Sequence, residues 1–225
     1  MTKFSNGVYQ MFLFFLIYVI LFKIMLIQLL FTDPLLFLII GIGILLALSI
    51  HEYSHAQMAD FLGDPTAKYQ GRLTINPLAH LDPFGTLLLF LFGFGWGKPV
   101  PFNPYNLRNP KQGEFLVGLA GPLSNFLMVI ISGLIFRFFP FFKMNLFLIY
   151  FAWINIILAV FNLLPFPPLD GSHVFLNFFP FSLRKIIVEG GFLSLIFGIL
   201  FMIFIGFPYI CEPLFKFITG TPLLF

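Results

Sequence analysis

Apolar residues run along this chain in long unbroken blocks, with neither the stripes of a half-buried helix nor the alternation of a surface strand. A helix needs about 20 mostly apolar residues to cross a bilayer. Five blocks qualify, at roughly 8–31, 35–61, 114–139, 145–164 and 186–210. Another apolar stretch, FGTLLLFLFGFG at 84–95, is 12 residues long and glycine-rich. It is too short to span unaided, and it is predicted as a re-entrant or extended, β-like piece packed inside the protein. The expected fold class is an all-α integral membrane protein, a polytopic bundle of five to six transmembrane helices. Residues 1–225 are expected to form one membrane-embedded domain, with no repeat and no flexible linker. The block at 8–31 follows Lys3 much as a secretory leader would. Its 24 residues exceed the about 7–15 of a leader's apolar core, and no small-x-small cleavage site follows, so a retained helix is predicted.

Composition sharpens this picture. Apolar residues make up 60% of the chain and charged residues only 9%, against about 25% charged in soluble domains. Most of the surface must therefore face a lipid bilayer. The net charge of +3 is small, and the basic residues are not gathered into a patch, which excludes a nucleic-acid partner. A single cysteine, Cys211, rules out an internal disulfide and a cysteine-rich metal site. With the N-terminus on the cytoplasmic side, Lys3, Lys68, Arg72, Lys98, Arg108, Lys111, Arg184 and Lys185 fall inside, and Arg137, Lys143 and Lys216 outside. The positive-inside rule favours that arrangement, that of a multi-pass protein of the cell membrane. Lys23, within the first block, is expected to snorkel or to pair inside the bundle.

The second block ends in polar chemistry: LLALSIHEYSHAQMADFLGD delivers His51, Glu52 and His55 within a membrane-grade helix. His51 and His55, four apart, stack on one helical face and can share one metal ion. Glu52 lies close enough to act as general base on a water held there, the H-E-x-x-H arrangement. The bland alternative is a polar cluster that only bonds helices together, but ionisable groups inside a membrane are expensive and mark function. Catalytic zinc keeps three protein ligands and one open position. The third ligand is either His80, in NPLAHLDPFG, or Asp170, in NLLPFPPLDGSH. Asp170 is favoured. Pro165, Pro167 and Pro168 unwind the chain leaving the fourth block, and Gly171 permits an unusual turn. The charge count also sets Asp170 at the same membrane depth as the histidines. His173, three residues on, is an alternative ligand, a support for Asp170, or a surface side chain.

HEYSH on a membrane helix, followed by NLLPFPPLDG at the end of another, resembles the site-2 proteases, zinc metalloproteases that cut substrates within the membrane. ADFLGDPTAKYQGRLTINPLAHLDPFG, GWGKPVPFNPYNLRNP and LAGPLSNFL are similar to the compact branch of that family, over about 42–175. The resemblance implies that one zinc ion is held by His51, His55 and Asp170, and that Glu52 activates the water. It implies a transmembrane protein or peptide as substrate. Asn162 and, in AGPLSN, Asn125 would be substrate or transition-state contacts, the plain alternative for both being hydrogen bonds between helices. The polar region 62–113 is already filled by these motifs and leaves no place for a PDZ-type domain. FGFGWGKPVPFNP is expected to offer an extended edge that pairs with an unwound substrate.

From the residues alone, the rival class is a multi-pass membrane zinc transporter. It would need further carboxylates and histidines along a path, and the spans hold little beyond Lys23, Glu52 and the histidines. A di-iron membrane oxidase would need many histidines, and the chain has 4.

Overall fold

A computed structural model describes residues 26–92, 97–139 and 145–222. Most of the first predicted span, with Lys23, lies outside these residues; its end is a short helix, α1 (Leu26–Thr32). Asp33 then closes one helix and opens the next. Its carboxylate accepts the Leu36 N–H at 3.0 Å, and Pro34 supplies a first-turn residue that has no N–H to satisfy. The helix so begun, α2 (Pro34–Phe61), has 28 residues. At about 1.5 Å per residue it is long enough to cross a hydrocarbon layer about 30 Å thick. Asn109 and Pro110 repeat the device for α4 (Pro110–Phe138), where the Asn109 side chain accepts the Gln112 N–H at 3.3 Å.

Helix α5 (Asn145–Asn162) is the centre of the bundle. Every residue from Phe151 to Phe161 is buried, as expected of a helix that is apolar all round and enclosed by neighbours. Helices α2 and α4 pack against it and against each other. Ala47, Ala152, Ala159 and Val129 are fully buried at these contacts, and such small side chains let helices approach closely in a membrane. Leu35, Leu38, Ile42, Leu127 and Ile130 point outward and are exposed, which suits lipid. Four helices among the described residues are long and apolar enough to cross a membrane: Pro34–Phe61, Pro110–Phe138, Asn145–Asn162 and Ile196–Thr219. The protein is a multi-pass membrane protein.

Two expectations are corrected. The short apolar stretch is helical, not extended, over α3 (Pro83–Phe92). Asp82 caps it, accepting the Gly85 N–H at 2.7 Å, and Phe90 packs against Phe37 of α2 with ring centroids 5.7 Å apart. No β-sheet forms among the described residues. One isolated bridge, Leu81 with Gly97, is the nearest approach to the β-like piece. The last span is also displaced from its predicted 186–210. A separate amphipathic helix, α7 (Phe181–Glu189), ends at Gly190, and Gly191 takes φ +47°, a conformation that glycine adopts at little cost. A continuous helical rod then runs through 192–219. Over Met202–Cys211 it winds wide, in π geometry, around the internal Pro208, and this loosening accommodates the N–H that proline lacks. Cys211 is buried in the core there.

Candidate metal centre

His51 and His55 lie in the second half of α2, which continues past them to Phe61. Opposite, the chain leaves α5 at Asn162 and unwinds through Leu163–Leu169, a stretch with three prolines. It starts again as α6 (Asp170–Phe175), with Asp170 in the first turn. Gly171 does not adopt a left-handed turn. Its role is close approach: a Cβ there would overlap the backbone carbonyls of Leu163 and Leu164. Only glycine lets α6 fold back against the end of α5 in this way, and the fold-back aims Asp170 at α2.

Three donor atoms converge as a result. His51 Nε2 and His55 Nε2 are 3.0 Å apart, and Asp170 Oδ2 lies 3.0 Å from the first and 3.3 Å from the second. A tetrahedral zinc with bonds of about 2.0–2.1 Å separates its ligands by about 3.3 Å, so the triangle matches. The protonation pattern matches as well. His55 Nδ1 lies 2.7 Å from the Val117 carbonyl oxygen, which can only accept, so the proton sits on Nδ1. His51 Nδ1 lies 2.6 Å from Asn125 Oδ1. That amide is oriented by its other end, which donates to Asn155 Oδ1 at 2.8 Å and to the Ala47 carbonyl at 3.3 Å. Asn155 in turn donates to the Phe151 carbonyl at 2.8 Å. The chain of bonds therefore fixes both imidazoles as Nδ1–H tautomers, with lone pairs on Nε2. Two lone pairs and a buried carboxylate oxygen that receives no hydrogen bond meet at one point. A cation bound at that point would satisfy all three donors at once.

Gly121 of α4 faces the same point. A Cβ on it would lie 2.6 Å from His51 Cε1 and 2.7 Å from His51 Nε2, and closer still to His55 Nε2. The space beside the donors is thus kept open by a missing side chain.

The other predicted residues fall in several places. Asn125 is fully buried and orients His51, so it supports the donor set from behind. Asn162 turns its amide back onto its own helix, donating to the Leu158 carbonyl at 3.1 Å. His80 is excluded as a ligand: its Nε2 donates to the Thr74 carbonyl at 2.7 Å, and its Nδ1 faces the Arg72 guanidinium at 3.4 Å. His173 is half-buried, its ring edge against Phe102. Glu52, between the histidines, accepts the Val100 N–H at 2.8 Å. Sequence reasoning missed Asn155, Gly121 and Arg72. An asparagine in the middle of the apolar run AWINIILAV was the one visible signal for the first.

The polar loops are tied down beside this centre. Asp64, fully buried just beyond α2, accepts from the Thr66 N–H and hydroxyl, the Asn103 N–H and the Asn106 side chain. Burial pushes its pKa up, but these donors outweigh it and hold the carboxyl below the usual range.

Replacing Asn125 by leucine is expected to weaken metal affinity by about 10- to 100-fold, the usual effect of losing a partner that orients a ligating histidine. Competition against a chromophoric chelator measures it.

Fold and site together define a membrane-embedded protein with a buried centre of two histidines and one carboxylate, the donor set of a metallohydrolase. The profile of Peptidase family M50 matches residues 139–207, which include Asp170. YwhC of Bacillus subtilis is 38% identical over 184 residues, covering 77% of this chain and 84% of YwhC. Rip2 of Mycolicibacterium smegmatis is 31% identical over 146 residues, covering 60% of this chain and 55% of Rip2. Both relatives carry the name putative zinc metalloprotease. No solved structure matches the chain. The chain belongs to the site-2 protease family of metalloproteases, Peptidase family M50.

Proposed function

We propose that this protein is a zinc metalloprotease that hydrolyses peptide bonds of transmembrane substrates within the bilayer. The convergence of His51 Nε2, His55 Nε2 and Asp170 Oδ2, with both Nδ1 protons already committed, carries this reading. These three side chains would hold the zinc. A zinc ion bound there supplies Lewis-acid polarisation of the scissile carbonyl and a water acidic enough to be deprotonated near neutral pH. Glu52 takes that proton as general base and returns it to the leaving nitrogen. Asn125 and Asn155 keep the His51 ring from turning, and the Val117 carbonyl does the same for His55. The site is buried among α2, α4 and α6, which suits a substrate that arrives from the membrane. The distribution of Lys and Arg supports a cytoplasmic N-terminus and a site near the cytoplasmic face. The chain acts as one unit, since α2, α4 and α6 each contribute to the centre.

The test uses purified protein in liposomes with a single-span fluorogenic substrate. A strong zinc chelator is expected to stop cleavage, and added zinc to restore it. Cleavage that persists after the metal is removed, with metal content checked by atomic spectrometry, overturns the proposal.

A further inference from the structure

We propose that Arg72 and the tripeptide Pro99-Val100-Pro101 form a clasp that positions Glu52 for proton transfer. This deepens the proteolytic reading and rests on it.

The tripeptide is built as a stiff rod with one donor. Lys98 and Val100 each precede a proline, which drives both into extended conformations. Pro99 and Pro101 have fixed φ and no N–H. Val100 therefore carries the only backbone donor in 99–101, and it is spent on Glu52 Oε2 at 2.8 Å. One carboxylate oxygen is held, and the other is left for the proton.

The rod is itself held from behind. The Lys98 N–H donates to the His80 carbonyl at 2.8 Å. The Arg72 guanidinium donates to the Pro99 carbonyl at 3.2 Å and, by its other terminal nitrogen, to the Lys98 carbonyl. That second nitrogen also faces His80 Nδ1 at 3.4 Å, and His80 is locked by its own bond to Thr74. Downstream, Asp64 holds the Asn103 N–H. With these groups engaged inward, Lys98–Val100 has little left to offer a substrate as an edge strand, and its contacts serve Glu52 instead.

The choice of arginine needs explaining. Arg72 is only 5% exposed, and its terminal nitrogens bind neutral carbonyls rather than a carboxylate. Burying a guanidinium in this way is costly unless a charge compensates. Burial pulls its pKa down, and the negative charge of Glu52 offsets this only in part. Arg72 thus orients the rod through the Pro99 and Lys98 carbonyls. It is a positioning residue, since it acts through Val100 and Glu52.

The experiment uses the full-length zinc-loaded protein in liposomes. Val100→Pro deletes the donor while keeping an extended backbone, and Arg72→Gln releases the rod. A hydrogen bond to a charged group is worth about 10- to 100-fold. Each variant is expected to lower kcat by about that factor, with KM and the one zinc per chain unchanged. In a Glu52→Asp background, where the carboxylate is already withdrawn, the same changes are expected to cost little more. A second measurement needs no activity. Glu52→Ala is expected to speed amide hydrogen exchange of Val100 by about 10-fold or more. Unchanged kcat in both variants, losses that multiply fully with Glu52→Asp, loss of zinc, or unchanged exchange at Val100 would each overturn the clasp. A wild-type protein that cleaves no membrane-spanning substrate would sink the proteolytic reading alone, because the exchange result stands without it.

Discussion

Glu52→Gln protein is expected to keep one zinc per chain and to cleave a single-span substrate about 100- to 10,000-fold more slowly than wild type. The two halves of this expectation come from different atoms. Zinc is expected to stay because the proposed donors, His51 Nε2, His55 Nε2 and Asp170 Oδ2, are untouched. The Nδ1–H bonds that aim the imidazoles run to Asn125 and Val117, not to Glu52. Glutamine also has nearly the shape of glutamate, and its carbonyl oxygen can still accept the Val100 N–H. What it cannot do is take a proton from water and hand it to a leaving amine. In cells, the variant is expected to accumulate intact single-span proteins, seen by membrane proteomics against wild type. Normal turnover in the variant would remove Glu52 from the role of base. Loss of zinc would instead move it into the scaffold of the site.

The geometry of the candidate site was legible where it depends on local spacing, and hidden where it depends on packing between helices. His51 and His55 face one way because they are four apart on α2, and any helix would place them so. The position of Asp170 was legible through the three prolines before it, which together interrupt a helix. The tautomers were not legible. They depend on Asn125 of α4 meeting Asn155 of α5, residues 30 apart, and no helical period links the two. Gly171 was noticed for the wrong reason, since the structure uses its lack of a Cβ and not an unusual φ.

The errors in the fold have the same origin. Hydropathy shows the stretch at 84–95 as short and glycine-rich, which leads to a re-entrant or extended piece as the expectation. The helix signals, Asp82 as cap and Pro83 in the first turn, stood just outside the window. The last span was placed ten residues early because apolar content is continuous across Gly190-Gly191, where the chain actually breaks. The wide winding around Pro208 is a tertiary accommodation, and no propensity scale would show it. Arg72 looked like one more cytoplasmic charge. Its burial beneath Lys98 and Pro99 depends on a loop fold that sequence periodicity does not encode.

Gly121→Ala is expected to yield a protein that still folds but binds zinc about 10- to 100-fold more weakly than the wild type. Gly121 sits inside α4, and alanine in a helix interior is favoured over glycine by about 1 kcal/mol. The overlap with the imidazoles offsets that gain by about 1–3 kcal/mol. Here the nearest neighbours of the added methyl are imidazole atoms, with His51 Cε1 at 2.6 Å and His51 Nε2 at 2.7 Å, closer than Cβ atoms approach other groups. The rings have nowhere to retreat: His51 is held through Nδ1 by Asn125, and His55 by the Val117 carbonyl. Relief comes from rotating one ring off its partner, which separates the Nε2 atoms and breaks the triangle with Asp170. Zinc competition against a chromophoric chelator, run beside thermal unfolding of both proteins without metal, reads the two effects separately. Wild-type zinc affinity in Gly121→Ala would mean that the space beside the donors is not where the ion sits.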